Sequence, residues 1–340
     1  MNGAGDLEVF LDETPGETRG VVSRDGRYTH LLIARDDDIP QQRLGARSVG
    51  RVVEINSTLR GAFVDLGAGP SAFLTISRGD TLTQGDRVEV VVTAEPRADK
   101  GAAVRRLGKG EGSPRLLESA PSVAEWLRGV APNGLPVAGV AAIDASSEAE
   151  EEALADQFRF PRGLDLAVQR TRALVAVDID HAPTPGRDAG KDRGRANAEG
   201  LIQAARLIRL KNWGGLVAVD LVGDGRDGEA KLKAARAAFS DEPQVAFGPV
   251  SRFGLLQLSL PWTRTPIEEV LKPTVRTRAQ ALVRTLRRRL LTDTAAPRCV
   301  VRCAPEEAAL AAPLVARLGP RAAALADPAV LAGQAYIEES

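Results

Sequence analysis

The pentapeptide Leu-Val-Ala-Val-Asp occurs twice, as Leu174–Asp178 and as Leu216–Asp220. Each copy is apolar at every position before its terminal carboxylate, which suits a strand buried on both faces. Between them, Asn197–Trp213 carries Leu201, Ala204, Ala205 and Ile208 on one helical face. Gly214-Gly215 follows, and glycine commonly ends a helix. Strand, crossover helix, strand favours a parallel pair with a right-handed connection. Asp178 and Asp220 then meet at the carboxyl ends of neighbouring strands, where open α/β sheets bind ligands. Two facing carboxylates repel, and at least one pKa rises unless a cation sits between them. Mg2+ suits that arrangement, because it takes one or two carboxylates and keeps waters for a phosphate substrate. The same two residues also read as strand-end caps facing solvent, since Asp often closes a strand.

The rest of the chain supplies the setting. Its 340 residues, 44% hydrophobic and 26% charged, are ordinary for globular proteins and suggest about two or three domains. Lys+Arg and Asp+Glu both total 45, so any nucleic-acid surface must be a local basic patch. Two cysteines exclude a disulfide framework. No apolar run approaches a membrane span, and Met1–Glu8 lacks the basic and apolar regions of a signal peptide. These features predict a cytoplasmic protein with no membrane partner.

Residues 7–34 alternate in β fashion and predict three short strands, followed by a solvated Asp36–Pro40 connection. From Gly45, five runs near 48–55, 62–66, 72–76, 86–93 and 102–104 are separated by Asn56-Ser57, Gly67–Pro70 and Gly79-Asp80 turns. Five such strands suit an OB-fold, a small barrel that binds single-stranded nucleic acid. Phe63 and Phe73 read either as barrel core or as base-stacking rings. Arg97, Lys100, Arg105 and Arg106 crowd the last strand, where they would neutralise phosphates. Residues 108–152 lack sustained periodicity; a short helix at Val123–Val130, a strand at Gly139–Ile143 and an acidic helix at Glu148–Phe158 are predicted. Beyond Asp220 come a polar loop at Gly223–Gly228, a helix at Glu229–Phe239, strands at Val245–Phe247 and Gly254–Leu260, an arginine-rich helix at Arg276–Leu291 and a last helix at Glu306–Leu318. His181 is expected in a solvent-exposed loop. The Cys299-Val-Val-Arg-Cys303 spacing is a poor zinc signal and reads as packing.

Three segments resemble the ribonuclease E/G family, in that family's order and with similar spacing. They are Ala173–Asp178, Asn197–Glu199 with Arg209–Asp220, and Ser251-Arg-Phe-Gly-Leu-Leu256. Gly50–Leu74 and Lys100-Gly-Ala-Ala similarly resemble the family's OB-fold RNA-binding domain. The resemblance implies that Asp178 and Asp220 hold a catalytic Mg2+. It also implies that Phe63 and Phe73 stack on bases, with Arg97 and Lys100 beside them and Arg252 facing a substrate phosphate. The family has Asn where this chain has Asp180, which either adds a metal ligand or weakens the site by repulsion. A further family lysine is Ala94 here, the zinc-binding segment is missing, and residues 108–152 hold no equivalent of the family's Arg-Thr pair that recognises an RNA 5′-monophosphate.

The expectation is therefore an α+β endoribonuclease acting on single-stranded RNA in RNA processing or decay. Its catalytic residues are Asp178, Asp220 and Asp180, its metal is Mg2+ and no zinc is expected. The divisions are an N-terminal β segment (1–44), an OB-fold (45–107), a shortened linker or sensor-like region (108–152), an α/β catalytic domain (153–265) and a small α/β region (266–340). A homo-oligomer is compatible but not implied. A non-catalytic RNA-binding protein of the same fold is the alternative reading. A metal-dependent phosphodiesterase acting on DNA or small substrates fits the carboxylates but leaves the OB-fold unexplained.

Overall fold

Alternating side chains and tight turns build the first sheet. In the structure, a computed structural model that describes residues 6–77, 79, 81–182, 189–223, 227–242 and 244–339, β1 (Leu7–Thr14), β2 (Glu17–Arg24) and β3 (Arg27–Arg35) form an antiparallel meander. Asp25 and Gly26 both have positive φ (52° and 69°), as a two-residue hairpin turn matched to strand twist requires.

The second module contains β4 (Arg47–Asn56), β5 (Gly61–Asp65), β6 (Ala72–Thr75), β7 (Arg87–Ala94) and β8 (Ala103–Lys109). β4 pairs antiparallel with β5 and β7, β5 with β6, and β7 with β8. A short parallel contact, Phe73↔Ala103 and Leu74↔Val104, links β6 to β8, so the pairings run in a circuit back to β4. Val52, Ala62, Val64, Ala72 and Leu74 are among the buried residues within it. β9 (Arg115–Glu118) adds to β4 and was not foreseen from the sequence.

The region that follows is more regular than its sequence suggested. α1 (Val123–Val130) begins at a reciprocal cap: Ser122 Oγ accepts from Glu125 N at 3.2 Å, and Glu125 Oε2 accepts from Ser122 N at 2.8 Å. The predicted Gly139–Ile143 strand is instead the start of α2 (Val140–Leu154). Ala142, Ala145, Ala149 and Ala153 are buried at helical spacing, a period that a short apolar window does not reveal. The expected helix through Phe158 stops at Leu154, and Gln157–Phe160 is a strand, β10.

The repeated pentapeptide lies in a six-stranded sheet. It comprises β10, β11 (Leu164–Arg170), β12 (Val175–His181), β13 (Gly215–Asp220), β14 (Ala246–Phe247) and β15 (Leu255–Leu260), in the order β10-β11-β12-β13-β15-β14. β12 and β13 are parallel, as predicted, and their neighbours are antiparallel. The crossover helix α3 (Ala189–Leu210) starts earlier than Asn197, and its buried Leu201, Ala204, Ala205 and Ile208 share a core with Val177 and Val219. Gly214 must be glycine, because a Cβ there would lie 2.6 Å from the Pro261 carbonyl oxygen. α4 (Gly228–Ala238) follows β13; residues 224–226 of the polar loop, and Asp80 of the earlier turn, lie outside the described residues.

The C-terminal part contains α5 (Ile267–Val270), α6 (Val275–Thr292), β16 (Cys299–Cys303), α7 (Pro305–Ala316), β17 (Ala322–Ala326) and β18 (Tyr336–Glu339). Cys299 and Cys303 are buried and form no disulfide. The arginines of α6 are not a free basic surface. Arg276 pairs with Asp37 and Asp38, Arg278 with Glu307, Arg284 with Glu17, Arg287 with Asp12, Arg288 with Asp144 and Arg289 with Asp293. All but the last of these pairs tie α6 to β1, β2, the loop after β3, α2 or α7, so these arginines are engaged in packing the fold rather than presented to RNA. Among the described residues, no helix is long and apolar enough to cross a membrane.

Candidate functional site

Strand alternation decides which side chains of β12 and β13 are offered to solvent. Val175, Val177 and Ile179 are buried on the side covered by α3, as are Val217 and Val219. Asp178, Asp180 and Asp220 take the opposite face and are exposed. The parallel register pairs Asp178 directly with Asp220, which places their Cα atoms roughly 4.8 Å apart. On the other side, Asp180 stands opposite Asp165 of β11. Asp165 escaped the sequence reading; the apolar residues on either side of it, Leu164 and Leu166, were the available signal.

The electrostatics follow from this crowding. Burial, then the carboxylates of Asp220, Asp180 and Asp165, push the Asp178 pKa above the ordinary Asp value. Neither Asp178 nor Asp220 has a hydrogen-bond or ion-pair partner among the described residues. Asp180 accepts a hydrogen bond from the backbone N–H of His181 at 2.7 Å. Among the described residues, no group of three or more His, Cys, Asp or Glu side chains converges on one metal position. The donor set at the paired strand ends is therefore two carboxylates. Hard oxygen donors in that number fit a Mg2+ that retains waters.

His181 belongs to the other face. Its side chain is 5% exposed and its Nε2 lies 2.9 Å from Asp192 Oδ2. The Nδ1 is buried without a hydrogen-bond partner among the described residues. The expectation of a solvent-exposed loop His is thus corrected: three residues beyond Asp178 on a strand, the side chain points to the α3 side.

Arg252 is exposed in the turn that precedes β15. Leu255, the first residue of β15, pairs with Asp220, so Arg252 lies at the carboxylate end of the sheet. Phe63 and Phe73 are cross-strand partners with ring centroids 5.6 Å apart in an edge-to-face arrangement. Both are half-buried and alternate with the core residues Ala62, Val64, Ala72 and Leu74, so the rings lie outside that core. Arg97 and Lys100 close a small loop between β7 and β8 through mutual backbone hydrogen bonds of 3.1 and 2.9 Å. Arg97 stacks 4.7 Å from the Trp262 ring. Both line a cleft of about 640 Å³ with Arg170, Arg172 and Leu216. That cleft opens at the amino ends of β12 and β13, opposite the carboxylates. The predicted residues therefore form three groups, Asp178, Asp180, Asp220 and Arg252 at one end of the sheet, Arg97 and Lys100 at the other, and the Phe63–Phe73 pair on β5 and β6.

Comparison with known proteins falls on the same stretch. The model of the Ribonuclease E/G family matches residues 140–262. Ribonuclease E of Escherichia coli (strain K12) is 32% identical over 115 residues, covering 32% of this chain and 11% of that protein. Ribonuclease E of Haemophilus influenzae is 32% identical over 113 residues, covering 32% of this chain and 12% of that protein. Ribonuclease E of Buchnera aphidicola subsp. Acyrthosiphon pisum is 32% identical over 109 residues, 30% of this chain and 12% of that protein. The matched stretch thus spans 11–12% of the length of these relatives. The family resemblance read from the sequence holds over residues 140–262, the segment that carries both copies of the pentapeptide.

Proposed function

We propose that this chain is an endoribonuclease that cuts single-stranded RNA by Mg2+-assisted phosphodiester hydrolysis, in RNA processing, rRNA processing included, or in RNA decay, and that it works in the cytoplasm. The observation that carries the reading is the register pairing of Asp178 with Asp220 inside the segment matched by the Ribonuclease E/G family.

Asp178 and Asp220 would hold the metal. The fit is electrostatic: the Asp178 carboxyl is held above its usual range by burial and three neighbouring carboxylates, and a divalent cation between the two aspartates removes that repulsion. Mg2+ bound there supplies Lewis-acid polarisation of the scissile phosphate. Arg252 would neutralise phosphate charge there, a role supported by its place at the carboxylate end of the sheet. We assign the strand circuit of β4–β8 to OB-type capture of single-stranded RNA, with Phe63 and Phe73 stacking on bases and Arg97 and Lys100 contacting phosphates. The half-exposed rings outside the β4–β8 core support that assignment.

One observation keeps the alternative of a non-catalytic RNA-binding protein in view. Asp180, where the family has Asn, faces Asp165, and both add to the repulsion on Asp178. Cleavage of labelled single-stranded RNA with and without Mg2+ separates the two. Cutting that requires Mg2+ supports the enzyme; binding without cutting at any Mg2+ concentration supports the alternative; neither binding nor cutting sinks both.

A further inference from the structure

Phe253 is 74% exposed, the most exposed aromatic ring among the exposed apolar residues. A large bare ring is the kind of surface feature that calls for a reason. Its backbone is firmly held. Ser251 N donates to Leu255 O at 2.8 Å, and Gly254 N donates to Ser251 O at 3.0 Å. Ser251 Oγ accepts from Phe253 N at 3.3 Å and from Leu255 N at 3.2 Å. Gly254 has φ +89°, a left-handed conformation suited to glycine, and it returns the chain into β15. The turn therefore fixes Phe253 outward, and its exposure is built in.

The location gives that exposure a meaning. Leu255 is the register partner of Asp220, so Phe253, in the tight turn between Ser251 and Leu255, lies just past the level of that carboxylate at the same end of the sheet. The Arg252 guanidinium lies over the ring, 4.6 Å from its centroid. Its flanking residues, Arg252 and Gly254, are not apolar side chains. A lone ring with a cation against it matches what a nucleotide presents, a flat base and a charged phosphate.

We propose that Phe253 is a nucleobase subsite: it stacks on the base of a nucleotide flanking the scissile phosphate, while Arg252 meets the adjoining phosphate. The subsite is separate from the Phe63–Phe73 pair and deepens the endoribonuclease reading, on which it rests. It works as a positioning residue, holding the strand in register with Asp178 and Asp220.

The test uses the full chain and single-stranded oligoribonucleotides carrying 2-aminopurine at successive positions, with Mg2+ withheld for binding and restored for cleavage. Phe253→Ala is expected to weaken binding by about 5- to 160-fold, to raise KM more than it lowers kcat, and to restore 2-aminopurine fluorescence at one position beside the cut. Phe253→Trp should retain binding and quenching. Because the ring packs against so little, Phe253→Ala should keep the wild-type melting temperature. Wild-type binding, cleavage and quenching in Phe253→Ala would overturn the subsite while leaving the endoribonuclease reading intact. A wild-type chain that neither binds nor cuts the RNA would overturn both. A change of oligomeric state in Phe253→Ala with RNA binding unaltered would also refute the subsite, by assigning the ring to contact between copies.

Discussion

Replacing Glu17 by Gln removes one buried charge and should cost this protein a large part of its stability. Glu17 is 1% exposed, and it accepts from Arg19 at 2.6 Å, Arg35 at 2.7 Å and Arg284 at 2.8 Å. Arg19, Arg35 and Arg284 are themselves almost wholly buried. Burial pushes the Glu17 carboxyl up, yet the guanidiniums outweigh it and the pKa falls from 4.5 to about 2. At 1.36 kcal/mol per unit, that depression is worth about 3 kcal/mol. Breaking a buried pair by removing one partner typically costs 3–5 kcal/mol, about the same figure. Glu150 also pairs with Arg19 and Arg284, so the variant keeps part of its compensation and the expected loss is near 3 kcal/mol. Against a usual total of about 5–15 kcal/mol, this is a substantial fraction. The sign with pH is fixed by the depressed folded-state value: the contribution is fully present above about 4.5 and is lost as pH falls towards about 2. Urea unfolding followed by tryptophan fluorescence should give the full difference between wild type and Glu17→Gln at pH 7, and a difference that shrinks through that acid window. A loss below about 1 kcal/mol at pH 7, or parallel acid profiles, would show that the network is not holding α6 to the N-terminal sheet.

Asp178→Asn or Asp220→Asn should abolish Mg2+-dependent cleavage with RNA affinity largely retained, because a neutral amide binds Mg2+ poorly; full activity in either purified variant refutes the catalytic assignment. Asp180→Asn should be tolerated, and complete inactivity there would make Asp180 a required ligand. Phe63→Ala and Phe73→Ala should each weaken single-strand binding by about 1–3 kcal/mol, with affinity falling steeply as salt rises; affinities equal to wild type in both folded variants would return the rings to a packing role. Elemental analysis should find no stoichiometric zinc, and Cys299→Ser with Cys303→Ser should leave activity unchanged; about one zinc per one or two chains would overturn this. Initial rates on one oligonucleotide bearing a 5′-hydroxyl, monophosphate or triphosphate should be equal, since Arg115 in residues 108–152 is engaged by the Glu111 and Ser113 carbonyls and Arg128 has no following Thr; a monophosphate preference of about tenfold, about 1.4 kcal/mol, would reveal a sensor.

Local chemistry was enough to determine the core of the candidate site. Two identical pentapeptides, an amphipathic stretch between them and a Gly-Gly stop dictated two parallel strands with their aspartates abreast, and the register Asp178↔Asp220 follows. Period and terminators act within a few residues of one another, so they can be read from the chain directly. The tertiary structure decided what depends on partners distant in sequence. A helix with arginines and no acids looks the same on paper whether it faces RNA or carboxylates; only folding brings Arg287 to Asp12 and Arg288 to Asp144. Val140–Ile143 is apolar enough for a strand or a helix, and buried alanines further along α2 settle it. The face of the β4–β8 sheet taken by Phe63 and Phe73, the turn of His181 towards Asp192, and the approach of Asp165 to Asp180 depend on register and on which face is covered. The reason is common to all of them: a strand's two faces differ by one residue in sequence but by burial versus solvent in space, and a charge carries no sign in its local pattern of whether its counter-charge lies across the fold.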